Sequence, residues 1–206
     1  MTDQALIPLE QSGGVVVAQS VELMEVFSDY ETSNQYTVFD DHGEMVLFAA
    51  EEEGGCWAHL VRQVMSTRRP MVMYVTDANG DLVLQLNKPF AFYFHKMEVL
   101  DGGGELLGTI EREFTLVKRK YTLRAPDGEV IYEVDGAFWK PWTFDVLDKG
   151  DAVAQVKKQF SGFLQEMASD ADNFGVEWAD DLAGEDRLML ISTVFFLDLL
   201  HFESHS

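Results

Sequence analysis

Cysteine, proline and basic residues are all scarce in this 206-residue chain, and each scarcity removes a class of explanation. Cys56 is the one cysteine, so no intrachain disulfide and no cysteine-rich zinc site can form. That usage fits a reducing compartment. The five prolines are spread out, and no Pro-, Ser- or Gly-rich linker divides the chain, which points to a single domain. Only 15 Lys and Arg stand against 36 Asp and Glu, a formal net charge of −21. Such a charge disfavours nucleic acid and anionic lipid surfaces as electrostatic partners, since both are polyanions. It favours solubility and makes divalent cations plausible as bridges, although a proteome acidic throughout would give the same figure. The opening "MTDQALIPLEQSGG" has neither a basic n-region nor an apolar h-region and is not a secretory signal. Residues 1–14 read as a flexible lead-in to a domain spanning 15–206.

What the chain has instead is a repeated strand–turn–strand pattern. Polar turns at Asp41–Gly43, Asp77–Gly80, Asp101–Gly104, Ala125–Gly128 and Asp148–Asp151 separate runs rich in β-formers. Each turn carries a glycine, which supplies the positive φ of a tight hairpin. Leu82, Leu84 and Leu86 alternate with Val83 and Gln85, and Val130, Tyr132 and Val134 with Glu129 and Glu133. Alternation fails around Lys118 in "EFTLVKRKYTL", which predicts a bend there. With "GVVVAQ" near the start and "FGVEW" near the end, the five hairpins give about twelve strands. A meander of that size must curl or close to hide its edges.

Two segments read as helical. "SVELMEVFS" (Ser20–Ser28) offers Ser20 as an N-cap, with Leu23, Val26 and Phe27 on one face. The second, "GEDRLMLISTVFFLDLLHF", is apolar at nearly every position from Leu188 to Phe202, including Ile191, Phe195 and Leu199. A helix apolar all round is a membrane span or the centre of a core. About fifteen residues at ~1.5 Å each reach ~22 Å, short of a ~30 Å hydrocarbon slab. Asp198 would also lie within the span. A core helix is therefore expected, with a membrane helix as the alternative.

Separate blocks along nearly the whole chain resemble the phospholipid scramblase family, which shares its architecture with the Tubby C-terminal domain and the plant LURP-one-related proteins. They are "QSVELMEVFSDYETSNQYTVFDDHGEMVLFAAEEEGGC" (Gln19–Cys56), "STRRP" (Ser66–Pro70), "DADNFGVEW" (Asp170–Trp178) and "FFLDLLHFES" (Phe195–Ser204). The resemblance implies a Tubby-like closed antiparallel barrel of about twelve strands around the C-terminal helix. It also implies calcium-stimulated, ATP-independent movement of phospholipid between bilayer leaflets. Animal members are similar but carry a Pro-rich N-terminal extension, a basic import signal and a Cys-rich palmitoylation run. The last would fall where this sequence has what read as ordinary strand residues, Phe90 to Phe94.

The family's calcium segment falls on Asp170 to Asp181. Read as a twelve-position loop, Asp170, Asp172, Phe174, Val176, Trp178 and Asp181 take positions 1, 3, 5, 7, 9 and 12, with Gly175 at the sharp turn. Phe174 stands where Asp or Asn is usual and Asp181 where Glu is usual, so a weak Ca2+ site is the most this stretch offers. The alternative is a solvated acidic turn leading into the core helix. Arg68 and Arg69 in "STRRP", and Lys118, Arg119 and Lys120 in "VKRK", are candidates for gripping lipid phosphate, against the alternative of balancing local acid. "FWKPW" (Phe138–Trp142) suits a membrane–water boundary, but more often such a run plugs a barrel end. The five His show no metal spacing, and neither a G-x-S-x-G motif nor a phosphate loop is present. The expectation is a non-enzymatic, lipid-interacting barrel, cytoplasmic and peripheral at the inner face of the plasma membrane. The alternative is a soluble binding or regulatory module on the same scaffold.

Overall fold

The computed structural model describes residues 3–19, 34–52, 68–116, 118–140, 142–158 and 173–201. Its strands are β1 (Gly14–Gln19), β2 (Gln35–Asp40), β3 (Met45–Glu51), β4 (Met71–Asp77), β5 (Leu82–Lys88) and β6 (Lys96–Asp101). They continue as β7 (Leu106–Glu113), β8 (Lys118–Arg124), β9 (Val130–Ala137), β10 (Thr143–Asp148), β11 (Asp151–Lys157) and β12 (Phe174–Trp178). All neighbours pair antiparallel in sequence order, and β12 returns to pair with β1, closing the barrel. Helix α1 (Asp3–Gln11) precedes the barrel, and helix α2 (Gly184–His201) enters it. This is the mainly β, helix-centred barrel that the sequence implied.

The turns show why these residues form these hairpins. In four of the five, the glycine (Gly43, Gly80, Gly104, Gly128) adopts φ between +84° and +91°, where a side chain would be strained. The fifth places both Lys149 and Gly150 at positive φ, as a two-residue hairpin turn requires. At Asp40, Asp77 and Asp101 the carboxylate accepts from the amides two and four residues on, fixing each turn from within.

Each of these hairpins then contains a bulge, at Val46, Val83, Leu107, Ile131 and Val153. One extra residue reverses which face the flanking side chains take. Leu82, expected beside Leu84 and Leu86, is consequently 42% exposed, while Val83 joins the core. Val130 is turned outward in the same way, leaving Tyr132 and Val134 inside. The break expected around Lys118 falls just before it, between β7 and β8.

All five tight turns lie at one end of the barrel, with α1 and the N-terminus of α2. The β5–β6, β7–β8 and β9–β10 connections lie at the other end, called the mouth here, with the C-terminus of α2. Every residue of α2 from Arg187 to Leu200 is buried, including Leu188, Ile191, Phe195 and Leu199. Phe202 lies outside the described residues, as does Ser20–Ser28. Among the described residues no helix is long and apolar enough to cross a membrane. A helix not expected from the sequence, α1, occupies the stretch read as a flexible lead-in, and its Leu9 is fully enclosed.

Three polar side chains of α2 show how such a helix is tolerated inside. Ser192 and Thr193 donate to the carbonyls of Leu188 and Met189, one turn back. Asp198 accepts from the Tyr36 hydroxyl at 2.6 Å. Arg187, 2% exposed, donates to the carbonyls of Leu182 (2.9 Å), Asp180 (2.9 Å), Ser12 (3.0 Å) and Leu9, and lies over the Trp178 ring. One guanidinium thus ties the end of α1 to the turn that feeds α2 into the barrel. Phe195, packed on Tyr36 with ring centroids 5.0 Å apart, sits at the centre of this core. Phe195→Ala is expected to lower stability by about 3–5 kcal/mol in urea unfolding. Leu106→Ala, at an exposed position, should stay within about 0.5 kcal/mol of the parent.

Candidate functional site

Among the described residues, the β5–β6, β7–β8 and β9–β10 connections carry the most exposed apolar side chains. β5–β6 presents Phe92 (71% exposed), Tyr93 (84%) and Phe94 (72%), with Phe90 edge-on to Phe92 at 4.8 Å. β7–β8 presents Phe114 and Leu116 (80% and 83%), and β9–β10 presents Phe138, Trp139 (76%) and Trp142. The expectation that Phe90 to Phe94 are strand residues is corrected: β5 ends at Lys88 and β6 begins at Lys96. The preference for "FWKPW" as a barrel plug is corrected too, because α2 already fills that end and Phe138 and Trp139 are left outside.

Beneath this rim the last turn of α2 meets the first residues of β8. The buried Tyr121 hydroxyl is hydrogen-bonded to the His201 ring. Arg119 lies over the Phe144 ring, 4.6 Å from its centroid, and donates to the carbonyl of Lys140 at 3.2 Å. Burial pushes Tyr121 up to about 12. Burial, reinforced by Arg119 and Arg112, holds His201 down at about 4. His95, on the same side, is held at about 4 by burial and then by Lys88, Arg112 and Arg68. The floor of the mouth is therefore an electropositive region in which both imidazoles are neutral at pH 7.

The candidate phosphate grips fall in different environments. Arg68 is exposed. Arg69 is buried, with both terminal nitrogens on the Glu51 carboxylate. Lys118 and Lys120 each reach across to β9, pairing at 2.8 Å with Asp135 and Glu133. Arg119 alternates inward between them.

Asp170 and Asp172 lie outside the described residues. The rest of the calcium segment is drawn out straight: Phe174 to Trp178 are β12, paired on both edges, and Gly175 makes no turn. Phe174, Val176 and Trp178 are buried, and the Trp178 indole donates to Ser12 at 2.8 Å. Asp181 stands exposed beyond the far end of the strand, ~16 Å along from its start. Ion ligands must converge to 2.3–2.6 Å, so these residues do not fit one wrapped loop. Among the described residues Asp40, Asp41 and His42 are grouped closely enough to hold a metal, but they form a hairpin turn whose Asp40 already accepts from its own backbone.

Sequence reasoning missed the β5–β6 rim. A signal was present: in "PFAFYFHK" aromatics occupy successive positions, which a half-buried strand does not allow. The depressed histidines give a pH prediction. Each binds its proton more readily unfolded, so the stability tied to their neutrality is present above pH ~6.5 and declines as pH falls toward 4. His201→Gln should flatten this decline in unfolding midpoints measured from pH 7 to 4.

The chain matches the Scramblase family over residues 1–204. It is 27% identical to human phospholipid scramblase 2 over 95% of this chain and 69% of that protein. It is 27% identical to rat phospholipid scramblase 1 over 95% of this chain and 61% of that one. Human phospholipid scramblase family member 5 is 26% identical, over 95% of this chain and 76% of its own. This chain thus spans roughly two thirds of such relatives. A crystal structure of an Arabidopsis thaliana protein shares the fold, with a TM-score of 0.57 at 14% identity over 95% of this chain and 97% of that one. With the barrel, the enclosed helix and the match along nearly its whole length in agreement, the chain belongs to the scramblase family.

Proposed function

We propose that this protein handles phospholipid at a membrane surface and mediates its movement between leaflets without nucleotide hydrolysis. The observation that carries the reading is the mouth: exposed aromatic loops above a cationic floor, in a chain whose relatives are named for phospholipid scrambling. An amphiphile with an apolar body and an anionic head matches both parts of that surface. The barrel interior is occupied by α2, so lipid would be handled at the outer surface and the mouth rather than through the lumen.

The test is reconstitution of the purified protein in liposomes containing fluorescent lipid, with dithionite added outside. Protein-containing vesicles are expected to lose the protected, inner half of the signal, and empty vesicles to keep it. Retention of the inner half at every calcium level would remove the reading and leave a binding or regulatory module. Because β12 separates Asp181 from the start of the acidic run, Asp181→Ala is expected to leave any calcium response unchanged. Loss of response in that variant would mean that the run wraps a single ion.

A further inference from the structure

Three short segments, "KPFAFYFHK" (88–96), "REFTLVKRK" (112–120) and "FWKPW" (138–142), differ from the rest of this acidic chain. Together they hold seven of its 15 Lys and Arg, eight of its 25 Phe, Trp and Tyr, and one of its 36 carboxylates, Glu113. The barrel gathers all three at the mouth, on the ends of consecutive strand pairs. Among the described residues, the opposite end is their inverse. Each of its five tight turns carries or is flanked by Asp or Glu, and among the described cations only Arg124, Lys149 and Arg187 lie toward it. Arg187 is buried, which leaves that end more acidic still.

From this axial segregation we infer that the mouth is a docking face for an anionic phospholipid bilayer, with the three aromatic loops entering the interface and the acidic turns pointing away. The inference rests on the reading that the chain handles phospholipid, and names the face and the lipid charge. Aromatic side chains with exposed rings partition to the headgroup boundary, where an apolar body and a polar edge are both satisfied. Cations around them are drawn to the negative surface potential of anionic lipid.

The net charge of −21 argues against such a partner only if the charge is taken as a point. Strands of six to eight residues, tilted as barrel strands are, hold the acidic turns roughly 15–20 Å from the mouth. That is about two Debye lengths at physiological ionic strength, so their repulsion is largely screened while the contacting cations act at short range. Lys118 and Lys120 are partly neutralised by Asp135 and Glu133, and Lys96 lies 3.8 Å from Glu98 and 3.9 Å from Glu111. Lys88 is buried and Arg119 is half-buried over Phe144. That leaves Lys140 and Arg112, both exposed and forming no ion pair within the described residues, as the freer cations.

The test uses the full chain, in EDTA so that calcium cannot bridge, floated with vesicles of phosphatidylcholine alone or mixed with phosphatidylserine. The protein is expected to float with the phosphatidylserine vesicles and to be released by salt. The triple variant Phe92→Ser, Phe94→Ser, Trp139→Ser is expected to bind at least about tenfold more weakly with its unfolding midpoint unchanged. Met45→Ser with Leu82→Ser, at the turn end, is expected to bind like the parent. Brominated lipid should quench tryptophan emission in the parent and quench it less in Trp139→Phe.

Equal binding to both vesicle types, no binding to either, or undiminished binding by the triple variant overturns the inference. So does concentration-dependent dimerisation that the triple variant abolishes, which would make a second copy the occupant of the rim. Lipid movement without mouth-dependent docking sinks this inference alone. Docking without lipid movement sinks the functional reading alone.

Discussion

An eighteen-residue helix buried on nearly every face must be surrounded, and the whole architecture follows from that requirement. One sheet face covers one side of a helix; twelve strands closed on themselves cover all of it. The polar atoms of α2 are then constrained as strictly as its apolar ones, because no water is at hand to pair with them. Ser192 and Thr193 bond to their own helix, Asp198 to Tyr36, and the Arg187 fork to four carbonyls. The last of these sets where the helix enters, since the carbonyls belong to the end of α1 and to the turn after β12. Glycine serves the same enclosure on β9. A Cβ at Gly136 would collide with the Phe144 ring, which fills the space near the end of the helix.

Filling the barrel moves function to the ends, and the two ends differ because their connections differ. Tight turns need Asp and Gly for backbone reasons, so the turn end becomes acidic as a by-product of hairpin geometry. The mouth has longer connections with no such demand, and there the chain places rings and cations. Its floor is kept positive by Arg112 and Arg119, against which His95 and His201 stay neutral. Hairpin geometry thus accounts for the carboxylates of Asp40, Asp77 and Asp101, and the less constrained loops carry the surface chemistry.

Most of the fold was legible because its signals are local. Each turn announces itself by a glycine among acids, and "RLMLISTVFFLDLL" is too short and too interrupted by Asp198 to suit a bilayer. The bulges were not legible: whether Leu82 or Val83 faces inward depends on register against β4, which alternation within β5 cannot reveal. Helix α1 was hidden by Pro8, which argues against a helix interior, and its Leu9 is secured by a core formed from residues far along the chain. Of the candidate site, the residue types were visible but their directions were not. Arg68 and Arg69 are adjacent, yet one is exposed and one is taken by Glu51. Phe174 and Trp178 hinted at a strand inside the acidic run, and β12 made that hint decisive.

The closing seam joins Val15–Val17 to Phe174–Val176, strands separated by nearly the full length of the chain. On a ribosome, every hairpin from β2 to β11 is available for local pairing before β12 has emerged, while β1 and β11 must wait as open edges. The helix that fills the interior arrives later still. Until both have emerged, a sheet built from the earlier hairpins would leave its apolar concave face bare, so the most hazardous interval is the one before β12 and α2 are made, when a chaperone would have most to hold.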